Sequence, residues 1–155
     1  MPIRRLAAAA LALVVVGSLL LARPNTEVRS AAAMTTACQA FLKTLDEQQS
    51  KRCRFAFQDE ERVNWHFIPR VRKGLPVKDL EGAPLRAALA LLRSGLSEAG
   101  YDQSLNVMSL EEVLYLLEGG DRVARRNNRD PGKYYISIFG QPGPQGNWGW
   151  RFEGH

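Results

Sequence analysis

The sequence predicts an α+β domain in which helices come first and an antiparallel β-hairpin follows. Two runs carry the helical part: Leu85, Ala88, Leu89, Leu92 and Leu96 recur at three- and four-residue steps, and so do Leu110, Val113, Leu114 and Leu117. The strand part is the β-branched and aromatic run 134–139, then Trp148, Trp150 and Phe152, which alternate on one face of a partner strand. The Gly/Pro-rich stretch 140–146 lies between them as a turn. The alternating segment 147–155 has neither turn nor tail behind it, and a lone hairpin is marginal in water. The pattern therefore predicts the truncated front of a larger α+β domain.

The elements follow in chain order. Arg4 and Arg5 precede an uncharged apolar run over residues 6–22, the layout of a secretory signal. Ser30, Ala31, Ala32 and Ala33 supply small residues for cleavage, which sets a leader at 1–33 and the domain at 34–155. The competing reading is an uncleaved N-terminal membrane anchor, since a span needs about 17–25 apolar residues. Both place the remainder outside the cytoplasm, periplasmic or secreted, and touching the membrane only through an uncleaved N-terminal segment. Thr35 and Thr36 can cap a helix with Ala37, Phe41, Leu42 and Leu45 on one face, and Asp46 with Gln49 reads as a capping box opening a short second helix. Residues 63–69, with alternation, aromatics and Pro69, read as an extended segment. A basic loop spans 70–76. Pro84 suits the first turn of the strongest helix and Gly100 its end cap. Ser109 and Glu112 form a capping pair for the next helix, which Gly119 and Gly120 terminate. Residues 121–132, polar and rich in Arg and Asn, read as a loop.

Charge and cysteine content narrow the classes. The chain carries 21 Lys+Arg against 16 Asp+Glu, a net charge of +5. Arg4, Arg5, Arg23, Arg29 and Glu27 lie in the expected leader, and without them 17 basic residues face 15 acidic ones, +2. A nucleic-acid partner, which calls for a strong basic footprint, is not expected. Cys38 and Cys53 can pair in an oxidising compartment, closing a loop of about 15 residues worth roughly 3 kcal/mol in the chain-entropy picture. The alternative is two small buried apolar side chains.

Four motifs in order resemble a known exported family. They are residues 61–76, from Glu61 through Trp65, His66, Pro69, Arg70, Arg72 and Gly74 to Pro76; residues 91–101, with Ser94, Gly95 and Tyr101; Arg129, Asp130 and Pro131 with Tyr134 and Tyr135; and Ile138, Phe139 and Gly140 with 148–155. Residues 34–155 resemble the N-terminal part of domain-of-unknown-function family 3500. The resemblance implies a chain that continues past this point and a Gly-His-His motif where this sequence has only Gly154 and His155. It implies no particular activity.

The chain's two histidines, His66 and His155, both fall in extended segments near tryptophan. If those strands are neighbours, the imidazoles could converge with Glu60, Glu61 or Glu153 on a transition metal; the alternative for His66 is a packed ring bonded to backbone. Arg70, Arg72 and Lys73 beside a Gly-Leu-Pro turn could clamp an anion, since guanidinium forks match carboxylate and phosphate, or pair with Asp59, Glu60 and Glu61 in a solvated loop. Arg122, Arg125, Arg126 and Arg129 form a second basic patch. Trp65 offers a platform for a sugar-like ligand, whereas Trp148 and Trp150 point the same way into a core. No GxSxG elbow or phosphate-cradling glycine motif is present. Two functions follow. The first is an exported metal-assisted hydrolytic or oxidative enzyme using His66 and His155. The second is a non-catalytic extracytoplasmic binding or scaffold module that takes a small anionic or sugar-like ligand through Arg70, Arg72 and Trp65.

Overall fold

The computed structural model describes residues 26–68 and 70–154, so most of the expected leader, Pro69 and His155 lie outside the described residues. The chain divides into two compact units, Met1–Ala31 and Ala32–His155. Among the described residues the architecture is α+β, with five α-helices and one four-stranded mixed sheet. No helix among them is long and apolar enough to cross a membrane.

Helix α1 (Thr26–Thr44) starts earlier than the expected cap at Thr35 and Thr36. Ala31, Ala32 and Ala33 are the best of helix formers, and Thr36 sits inside the helix with its Oγ1 donating back to the Ala32 carbonyl at 3.0 Å. The expected inner face holds: Phe41 is fully buried, with Ala37, Leu42 and Leu45 packed around it. Helix α2 (Glu47–Cys53) opens with the anticipated capping box. Asp46 Oδ1 accepts from the Gln49 N–H at 2.8 Å, and Gln49 Oε1 accepts from the Asp46 N–H at 3.2 Å.

Helix α3 (Gly82–Ser94) carries Pro84 in its first turn and buries Ala88, Leu91 and Leu92. It ends at Gly95, not at Gly100. Gly100 lies instead in the first turn of α4 (Glu98–Leu117), where its N–H is capped by Ser97 Oγ at 3.1 Å. Ser109, expected to start a helix, is in the middle of α4 with its Oγ donating to the Asn106 carbonyl. Two cap signals compete here, and Ser97 wins because it leaves no break in the ladder before Leu117. The expected loop 121–132 contains helix α5 (Arg122–Asn128), capped by Asp121 accepting from the Ala124 N–H. Side-chain pairs to α4 hold this polar helix: Arg126 meets Glu112 at 2.5 Å, and Arg129 just beyond the helix meets Glu118 at 2.6 Å. Apolar periodicity carries no trace of such an anchor.

Strand β3 (Tyr135–Gly140) is central. It pairs along its whole length with antiparallel β4 (Trp148–Glu153). Its other edge takes β1 (Arg54–Phe55), parallel, against Ile138 and Phe139, and β2 (Leu75–Pro76), antiparallel, against Ile136 and Tyr135. Residues directly opposite in an antiparallel pair share a face. Ile136 with Phe152 and Ile138 with Trp150 therefore form one face, which packs on Phe41, Leu91, Leu75, Cys38 and Cys53. Tyr135 with Glu153 and Ser137 with Arg151 form the other.

Two expectations are corrected. Residues 64–68 form no strand: a 3₁₀ turn (Glu60–Val63) leads into an irregular loop with Trp65, Phe67 and Ile68 exposed. Its carbonyls go to a guanidinium rather than to a ladder, since Arg72 Nη2 donates to the carbonyls of His66 at 2.9 Å and Ile68 at 2.8 Å. Cys38 and Cys53 are free thiols in the same core cluster, not a disulfide. They serve as small buried side chains, with Cys53 Sγ donating to the Ser50 carbonyl at 3.5 Å.

Candidate ligand clefts beside a buried charge cluster

The second face of the sheet is charged and covered. Arg151 extends from β4 onto Glu61 of the 3₁₀ turn, with Nη2 at 2.6 Å from Oε1 and Nη1 donating to the Glu61 carbonyl at 2.5 Å. The same Nη2 lies 2.7 Å from Glu153 Oε1, and Arg72 Nε lies 3.6 Å from Glu153 Oε2. All four side chains are more than nine-tenths buried. The loop can press this close because of Gly74. Its φ is +102°, and a Cβ there would sit 2.6 Å from Ser137 Oγ and 2.9 Å from the Ile136 carbonyl oxygen. Burial pushes the Glu61 carboxyl up, but hydrogen bonds from Asn64 and Arg151 and the charges of Arg151 and Lys73 outweigh it, leaving the group below its ordinary value. Both Glu153 carboxylate oxygens, Ser137 Oγ and the Nε atoms of Arg72 and Arg151 are buried with no hydrogen-bond partner among the described residues.

A hydrogen-bonded chain leads from this cluster to the loop. Asn64 Nδ2 donates to Glu61 Oε2 at 3.0 Å, and Asn64 Oδ1 lies 2.8 Å from His66 Nε2. With the amide nitrogen engaged by Glu61, Oδ1 is the acceptor and His66 donates through Nε2. No group of three or more His, Cys, Asp or Glu suited to a metal occurs among the described residues, and His155 lies outside them.

Two clefts flank the Arg72–Glu153 pair. The first, of about 450 Å³, is lined by Arg70, Val71, Arg72, Asn128, Arg129, Lys133 and Tyr135. Arg72 and Arg129 are already paired, Arg129 with Glu118 and with Glu111 at 3.5 Å. Lys133 Nζ donates to neutral acceptors, the Asn127 carbonyl and Oδ1. Arg70 is exposed. The second cleft, of about 320 Å³, is lined by Trp65, Gln103, Ser104, Val107, Tyr134, Phe152 and Glu153, with Gly100 and Gly154.

The structure thus brings Arg70 and Arg72 together and puts Trp65 in a different cleft. Of the expected pairing between the basic loop and Glu61, Lys73 makes it at 3.8 Å, whereas the parts of Arg151 and Lys133 do not follow from the sequence pattern of the loop. One signal was available: Arg151 and Glu153 alternate with Trp150 and Phe152, so one strand face is charged. Two of the four arginines in the second basic patch are paired with carboxylates, Arg126 with Glu112 and Arg129 with Glu118, while Arg125 donates to the Tyr115 and Glu118 carbonyls.

Residues 27–155 match the family model described as Protein of unknown function (DUF3500). The chain belongs to this family. The match takes in α1 from Glu27 on and every other element described here, so both clefts lie within the DUF3500 region. No curated protein and no solved structure matches the chain.

Proposed function

We propose that this DUF3500 protein is an extracytoplasmic binding module that holds a small anionic ligand in the cleft of Arg70, Arg72, Arg129 and Lys133. One observation carries the reading: four cationic side chains line the cleft and no acidic one does. Arg70 and Lys133 bring charge that no carboxylate among the described residues cancels. Arg72 and Arg129 arrive already oriented by their acidic partners, a preorganised arrangement that suits carboxylate, sulfate or phosphate. Calorimetric titration with phosphate, sulfate and glucuronate tests it. Arg70→Ala and Lys133→Ala each weaken the best of these by a few-fold and together by about tenfold, the order of two exposed charge-assisted bonds. A double variant that binds like the parent refutes the proposal. Export rests on Arg4, Arg5 and the apolar run 6–22. Fusing residues 1–33 to alkaline phosphatase gives active enzyme if the segment exports and inactive enzyme if it does not.

A second reading keeps His66 as a ligand of a metal in a hydrolytic or oxidative centre. Its support is the Asn64 clamp on Nε2, since metal-binding imidazoles characteristically donate their second nitrogen to such a partner. Metal analysis of the purified protein beside its His66→Ala variant decides it: equal metal content in the two removes His66 from any centre.

A further inference from the structure

We infer that the second cleft is a separate subsite for a neutral polyhydroxylated ring, a sugar, independent of the basic cleft. Its wall is aromatic. Trp65 is 57 % exposed and supplies the open ring face, while Tyr134, buried and stacked on Phe152 with ring centroids 5.7 Å apart, forms the apolar floor. Flat aromatic faces of this kind match the apolar C–H face of a pyranose. Helix α4 adds the polar edge. Gln103 is exposed with an amide that both donates and accepts, and Ser104 Oγ donates to the Gly100 carbonyl, which leaves the oxygen free to accept.

Glu153 separates a sugar from an amine. It contributes to the lining, its side chain is only 2 % exposed, and both its oxygens accept no hydrogen bond. Its charge is nevertheless answered by Arg151 at 2.7 Å and Arg72 at 3.6 Å. An ammonium group would add a third cation beside these two guanidiniums, whereas a neutral hydroxylated ring meets no such repulsion. The Glu153 oxygens are closed to solvent, so the ring meets the cleft through Trp65, Gln103 and Ser104 and not through the carboxylate. The volume, about 320 Å³, is at the lower end of the roughly 300–1,000 Å³ typical of small-molecule sites and suits one or two rings.

The test is titration of the protein with glucose, N-acetylglucosamine and their β-1,4-linked disaccharides, followed by tryptophan fluorescence and by saturation-transfer NMR. At least one of these binds. Trp65→Ala weakens it about tenfold while its circular dichroism and melting temperature match the parent, because the side chain is exposed. Gln103→Ala weakens it a few-fold, and Arg70→Ala leaves it unchanged. Absence of binding across the panel overturns the inference, as does binding that survives Trp65→Ala or disappears in Arg70→Ala. Anion binding lost in Arg70→Ala and kept in Trp65→Ala reports on the basic cleft alone, so the two sites can fail separately.

Discussion

Replacing Arg72 by methionine keeps the aliphatic reach of the side chain and deletes one of two buried guanidiniums. In the native fold two buried carboxylates, Glu61 and Glu153, face Arg151 and Arg72, and Lys73 reaches Glu61 only at 3.8 Å with its side chain largely in solvent. After the change Arg151 alone serves both acids. Removing one member of a buried pair costs about 3–5 kcal/mol, because the remaining charge stays desolvated. The carbonyls of His66 and Ile68 also lose their donor, but they belong to an exposed loop and can turn to water, so they add little. A domain of this size holds roughly 5–15 kcal/mol in all. The expected loss is therefore about a fifth of the total or more. Urea unfolding at pH 7 measures it: with a slope of about 1–3 kcal/mol per molar, the midpoint drops by about one to a few molar. Adding Glu153→Gln removes the stranded charge and restores about 1 kcal/mol or more relative to the summed single changes. A loss below about 1 kcal/mol in Arg72→Met, or strict additivity in the double variant, refutes the view that Arg72 and Glu153 are one electrostatic unit.

Glu61 lies below its ordinary value when folded, so the unfolded chain takes up that proton first as pH falls; the contribution is complete above the ordinary carboxylate value of about 4.3 and is lost as pH drops through the lowered folded value. Glu61→Gln flattens the acid side of the stability profile, and an unchanged slope rejects the assignment. Burial pushes the Cys38 thiol up to about 12, helped by Cys53, and burial pushes Cys53 to about 11. A disulfide-exchange reagent at pH 8 therefore finds no reactive thiol in the native protein and two after denaturation; no thiol after denaturation would establish the Cys38–Cys53 clip instead. Gly74→Ala forces an L side chain to φ +102° against Ser137 and the Ile136 carbonyl and costs about 2 kcal/mol or more. Ser137→Ala in the same background does not restore stability, because the backbone oxygen remains; an unaltered melting temperature in Gly74→Ala counts against the close approach.

What was legible in the sequence was written in local chemistry. The Asp46–Gln49 box, the Pro84 first turn and the pairing of 134–139 with the Trp148–Trp150–Phe152 strand follow from spacing within a few residues; the α3 face follows only in part, since Leu91 is buried beside Ala88 and Leu92 while Leu96 lies past the helix end and is exposed. The misses lie where distant partners decide. Residues 63–68 have strand-like composition, yet Arg72 takes their carbonyls. Helix α5 has no apolar stripe, and its anchors are Glu112 and Glu118 on another helix. Gly100 reads as an end cap in isolation, but Ser97 three residues earlier turns it into part of a helix start. Arg70 and Arg72, adjacent in the basic loop, line the same cleft. Trp65 was not separable from them, because its place beside Tyr134 and Phe152 depends on the irregular course of residues 64–68, which no local pattern encodes.

The charge cluster is costly as a stabilising device. A well-packed apolar set of the same volume is often as stable as a buried ion pair or more so, and here five buried polar atoms have no hydrogen-bond partner among the described residues. Its geometry serves positioning better than stability. A loop with no ladder of its own needs something to hold its carbonyls, and Arg72 does this from within: Nη2 takes the His66 and Ile68 carbonyls and reaches the Gly154 carbonyl at 3.5 Å, while Nε faces Glu153. The residues on that loop then diverge: Arg70 goes to the basic cleft and Trp65 to the aromatic one. Arg72 lines the first cleft and Glu153 the second, so a single ion pair forms the partition between them. The charged face of the sheet is therefore the element that places the residues of one irregular loop in two chemically distinct clefts.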